Sequence, residues 1–94
     1  MTTLRIEHKI ADYDGWKKAF DSDPIDREKS GVKRHCIYRP ADDDNYILVD
    51  LEFENPDKAA AALESLKILW GNVEGKIMFN PQTRFLNIIE TAEY

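Results

Sequence analysis

His8 is the residue best placed by type and position to move a proton. It closes the alternating run Leu4-Arg5-Ile6-Glu7-His8-Lys9-Ile10 on the side otherwise held by Leu4, Ile6 and Ile10. A neutral imidazole there can act as a general base near neutral pH, although a histidine on an apolar face can equally serve by bonding a helix terminus. Arg27, in a polar stretch before the next apolar run, can close over a pocket to bind a carboxylate or polarise a carbonyl. Its plainer use is a surface pair with Asp23 or Glu28, worth little. Trp16 and Phe20 stand one helical turn apart and, with Tyr13, Tyr38 and Trp70, are candidate walls for a flat, apolar ligand. The same spacing also suits simple core packing, above all for Phe20.

Other chemistries lack their signatures. No phosphate-binding glycine loop and no nucleophile with a base at a recognised spacing occurs. The acidic run Asp42-Asp43-Asp44 lacks the alternating ligands, glycine and closing glutamate of a calcium loop, and reads as a solvated turn. His8 and His35 have no companion ligand at short spacing, which argues against zinc or iron, and no later histidine could ligate haem. We therefore expect no metal and no cofactor. Cys36 is the single cysteine and cannot form an intrachain disulfide. It reads as an inert, buried thiol; Lys33 and Arg34 beside it are what a reactive thiolate would need.

These residues must be positioned by regular elements. Thr3 to Ile10 alternates as a half-buried strand. Asp12 or Asp14 can cap a helix carrying Trp16, Ala19 and Phe20 on one face, which Pro24 must stop. A turn over Ile25 to Ser30 and Gly31 leads into a second strand, Val32 to Arg39, on which His35 and Tyr38 face opposite ways by parity, Tyr38 sharing its side with Arg34 and Cys36. The polar turn Pro40 to Asn45 makes a hairpin with Tyr46 to Phe53, a central strand. Asn55-Pro56 starts a second helix striped with Ala59, Ala62, Leu63, Leu66, Leu69 and Trp70, and Gly71 can end it. Asn72 to Gln82 reads as a loop with a short helix, and Thr83 to Thr91 as the fourth strand.

The order strand, helix, strand, strand, helix, strand predicts an α+β, ferredoxin-like βαββαβ domain over residues 1–94, with both helices on one face of a four-stranded antiparallel sheet. The other face then receives Arg5, Glu7, Tyr46, Leu48 and Asp50. So mixed a face suits a partly wet contact with a second copy, and a homodimer is expected.

Composition narrows the partners. The chain of 94 residues is 43% hydrophobic and 33% charged, which fits one compact domain. A net charge of -5 argues against nucleic acid and anionic membrane surfaces. No apolar run approaches the roughly 20 residues of a membrane span, and no secretory signal is recognised, so a cytoplasmic protein is expected.

The segment His8 to Lys17 with Ala19-Phe20-Asp21, then Arg27, Gly31, Tyr38-Arg39, Ala41 to Asn45 and Glu52-Phe53, resembles the dimeric α/β-barrel superfamily. Within it the likeness is to small antibiotic-biosynthesis-monooxygenase-like or cyclase-like proteins, and it covers about the first two thirds of the chain. A proline common in that hairpin turn is replaced here by Asp44. The resemblance implies a homodimeric barrel that binds an apolar or aromatic metabolite, with cofactor-independent monooxygenase or cyclase-like chemistry. His8 and Arg27 would be its catalytic residues, and Tyr13, Trp16, Phe20, Tyr38 and Trp70 its ligand contacts. A noncatalytic ligand-binding or structural dimer is the alternative, because this fold hosts many activities.

Overall fold

The structure is a computed structural model and describes residues 1–73 and 78–94. Six elements follow in the order β1 (Thr2–Ile10), α1 (Tyr13–Asp21), β2 (Val32–Tyr38), β3 (Tyr46–Phe53), α2 (Pro56–Val73) and β4 (Met78–Asn87). The strands form one antiparallel sheet in the order β2-β3-β1-β4, which is the ferredoxin-like arrangement. Parity does the sorting. On β1, Leu4, Ile6, His8 and Ile10 are buried beneath the helices, and their neighbours across β3 include Leu51, Val49 and Ile47. Phe53, Leu4 and Ile47 are the largest side chains sealed completely from solvent.

Each helix starts as its sequence dictates. The Asp12 carboxylate accepts from the Gly15 amide at 2.7 Å, so Asp12 rather than Asp14 is the cap of α1. Asn55 accepts from the Lys58 amide at 3.0 Å, and Pro56 occupies the first turn of α2 without leaving an amide unpaired. Beyond α1 the chain turns through Asp23 and Asp26, both at φ 53°. Gly31 follows at φ 97°, a conformation that costs a residue without a Cβ little.

Three expectations need correction. The last strand begins at Met78, not Thr83, and ends at Asn87, not Thr91. Asn80 and Pro81 looked like turn formers, but β4 is an edge strand, where a missing amide is tolerated. The register also slips between Glu7 and Lys9, and a bulge absorbs the left-handed Asn80 at φ 51°. Second, α2 runs through Gly71 to Val73; an added Cβ at Gly71 would meet nothing within 4 Å, so the glycine there is not needed to end the helix. Third, no separate short helix occurs over the described part of Asn72 to Gln82: residues 72 and 73 end α2, residues 78–82 are strand, and 74–77 lie outside the described residues.

Candidate functional site

Between the two helices and the sheet lies a cavity of about 240 Å³. Its floor is the sheet: Ile6 and His8 from β1, Val49 and Leu51 from β3, and Met78 from β4, all buried. α1 supplies Trp16, Ala19 and Phe20 to one wall, and α2 supplies Leu66, Leu69 and Trp70 to the other. The loop after α1 forms the rim through Ser22, Pro24, Ile25 and Arg27. A cavity of roughly 150 Å³ in an apolar core admits a benzene ring, so this one has room for a ligand of about two fused rings.

His8 is the polar group on that floor. Its Nδ1 lies 3.0 Å from the Lys9 carbonyl oxygen. A carbonyl only accepts, so Nδ1 carries the proton and Nε2 keeps its lone pair. Burial pushes the imidazole below its ordinary value of 6.5, the Lys9 contact opposing this more weakly. The ring is therefore neutral at pH 7, a base surrounded by apolar groups. Among the described residues no fully buried side-chain nitrogen or oxygen lacks a partner, and His8 is itself one of the residues lining the cavity.

The aromatic wall is continuous. Trp16 stacks on Phe20 with ring centroids 5.2 Å apart, and its indole lies 6.3 Å from the His8 ring. Trp16 is 6% exposed, which makes it a core residue and a lining residue at once. Arg27 lies over this wall, its guanidinium carbon 3.9 Å from the Phe20 ring centroid. Its Nη1 donates to the Phe20 carbonyl at 2.8 Å, and its Nε lies 3.5 Å from Asp23. The Asp23 carboxylate also accepts from the Arg27 amide at 2.9 Å. Arg27 thus satisfies a carbonyl at the open end of α1 and fastens the rim loop to it.

Five of the seven residues singled out from the sequence, His8, Trp16, Phe20, Arg27 and Trp70, line this one cavity. Tyr13 stands behind Trp16, with centroids 6.1 Å apart, under the guanidinium of Arg39. Tyr38 lies across the sheet, where its ring meets Arg5 at 5.9 Å. Sequence reasoning missed Met78, because its segment read as loop, and the rim residues Ser22, Pro24 and Ile25, whose types carry no chemical signal. His35 packs edge-on against Phe20 at 5.1 Å but is exposed.

On the opposite sheet face Arg5 and Asp50 form a two-pronged pair, both contacts 2.8 Å. Arg34 pairs with Glu52, and the Tyr46 hydroxyl donates to Glu7 at 2.7 Å. Cys36 is exposed on this face, in contrast to the buried thiol expected. Parity had put it on one side with Arg34 and Tyr38, and the pairing of Cys36 with Asp50 and of Tyr38 with Leu48 places that side on the face the helices do not cover. No cluster of three or more metal-ligating side chains occurs among the described residues, and no described helix is long and apolar enough to cross a membrane.

No protein-family profile matches the chain, and no curated protein matches it in sequence. Solved structures do match its fold. SnoaB, a cofactor-independent oxygenase from Streptomyces nogalater, superimposes with a TM-score of 0.76 at 15% identity, covering 96% of this chain and 94% of that one. A proposed antibiotic biosynthesis monooxygenase from Nitrosomonas europaea gives 0.63 at 18% identity over 96% and 100%. A dimeric ferredoxin-like protein from an uncultured marine organism gives 0.66 at 10% identity over the whole of both chains. The chain therefore has a ferredoxin-like fold, which it shares with these proteins.

Proposed function

We propose that this protein is a homodimer in which each subunit holds a small aromatic metabolite in its cavity and oxidises it without a cofactor. The observation that carries the reading is the neutral His8 on the floor of an aromatic-walled cavity. An acidic hydroxyl on the ligand would give its proton to Nε2. The electron pair left on oxygen spreads into the ring and makes it reactive toward dioxygen, the oxidant this chemistry needs. For a naphthol the balance is one dioxygen consumed, one oxygen atom entering the ring as a quinone carbonyl, and the other leaving as water with the hydroxyl and ring hydrogens. Trp16 and Phe20 keep bulk water away from the anion, and Arg27 supplies positive charge at the rim. The fold shared with a cofactor-independent oxygenase supports this reading.

The outer sheet face supports the dimer. Two of its ion pairs, Arg5 with Asp50 and Arg34 with Glu52, are formed within the subunit. A second copy can cover those pairs without separating their charges. The C-terminal residues Ile88 and Ile89 border a groove on this same face with Tyr38 and Cys36, and they are exposed in the single chain.

Native mass spectrometry with added naphthol, followed by dioxygen uptake, tests the reading. A dimer that binds naphthol and consumes dioxygen, with uptake lost in His8→Asn, is expected. A monomer that binds nothing would end the proposal. A dimer that binds naphthol and consumes no dioxygen would leave the noncatalytic ligand-binding alternative.

A further inference from the structure

We infer that the natural occupant of the cavity is an aromatic carboxylic acid, inserted ring first, with its carboxylate held at the rim by Arg27; this rests on reading the cavity as a ligand site. The lining is graded in a way that suits such a molecule. Its floor, Ile6, His8 and Val49, is buried, whereas the rim residues Ser22 and Pro24 are exposed. Arg27 is the one permanently charged side chain on the described lining, and 18% of that side chain reaches solvent. A ligand with an apolar body and one anionic end matches this grade: the rings leave water for the cavity, while the charge stays in partial contact with it.

Arg27 is also prepared for the task. Its guanidinium rests on the Phe20 ring at 3.9 Å and is pinned by the Phe20 carbonyl at 2.8 Å. A guanidinium carries more N–H donors than the Phe20 carbonyl and Asp23 engage. A side chain already fixed loses little further freedom when a carboxylate arrives. Of the acidic residues around the rim, Asp21 is paired with Lys17 and Asp26 with Lys29, while Asp23 lies 3.5 Å from Arg27 Nε, so an incoming carboxylate must take the N–H groups that Asp23 and the Phe20 carbonyl leave. With the carboxylate at Arg27, the far end of the ligand lies toward His8 on the floor. The substrate class of the proposed oxidation is then a hydroxyaryl carboxylic acid, its hydroxyl remote from its carboxylate.

Calorimetric titration of the intact protein with naphthoate and with the uncharged naphthamide separates the possibilities, a shift of the Trp16 indole N–H resonance locating each ligand in the cavity. We expect naphthoate to bind about tenfold more tightly. Added salt should shrink this preference, and Arg27→Met should abolish it while Arg27→Lys restores part of it. Because Arg27→Met also removes the clamp on α1, the ligand pair and the salt series on the unaltered protein carry the test if that variant does not fold. Equal affinities would overturn the inference and leave the cavity reading standing. A preference that survives in folded Arg27→Met would overturn it too. Binding of neither ligand would remove the cavity reading and the inference together.

Discussion

Replacing His8 by asparagine should flatten the acid limb of this protein's stability. In the native state burial holds the imidazole below its ordinary value of 6.5, whereas in the unfolded chain it titrates near that value. Between the two, the unfolded chain binds a proton that the native protein does not. Stability from this source is therefore complete above pH 6.5, falls as pH drops through the window, and levels off below the native value. One proton sets the steepest slope at about 1.4 kcal/mol per pH unit. Against a domain stability of about 5–15 kcal/mol, one such unit would lower the melting temperature by about 6–11 °C. Asparagine does not titrate, and its amide nitrogen sits near the place of Nδ1, so the bond to the Lys9 carbonyl at 3.0 Å is retained. Urea unfolding followed by circular dichroism from about pH 8 to about pH 5.5 gives both curves. Carboxylates common to the two proteins cancel in the difference. The difference should be flat above pH 6.5 and decline below it; parallel curves would refute the buried, neutral imidazole. The same argument puts the acid limb of any His8-dependent turnover below pH 6.5.

Other substitutions probe the surrounding scaffold. Trp16→Ala removes a 6% exposed indole stacked on Phe20 and should cost about 3–5 kcal/mol in urea unfolding; a loss under about 1 kcal/mol would show that the helices collapse into the space. Asp50→Ala strands the Arg5 guanidinium, but that side chain is 37% exposed and can rehydrate, so the loss should be about 1–2 kcal/mol. In the proposed dimer the same change leaves a lone charge on the covered face, and sedimentation should show weaker association than in wild type. Gly31→Ala forces a side chain onto φ 97° with its Cβ 3.0 Å from Lys58 Cδ. The lysine can swing aside but the backbone cannot, so thermal melting should report a loss of about 1 kcal/mol or more, and an unchanged melting temperature would mean that the turn relaxes.

Much of the architecture was legible because local rules agreed with one another. Alternation in Leu4 to Ile10 identified the inward face of β1, and Asn55-Pro56 marked the start of α2 at the residue where it begins. β4 was harder. Pro81 and Asn80 are turn formers by type, and only their place on the sheet edge, next to a bulge, makes them strand residues. Cys36 shows the reverse case: its residue type favours burial, but its parity on β2 puts it on the uncovered face.

The sequence by itself determined the order of the elements, the inward face of β1, and His8, Arg27 and the aromatic residues as the groups with chemistry to offer. Those properties follow from periodicity and residue type, which are local. Only the tertiary structure decided which of them meet. His8, Trp16, Arg27 and Trp70 come from a strand, a helix, a loop and a second helix, and they share a cavity because the sheet order places β1 and β3 beneath both helices. It also decided that Arg27 lies on Phe20 and that the His8 imidazole stays neutral. Contact and desolvation arise when distant segments exclude water from the same volume, and no spacing along the chain encodes that volume.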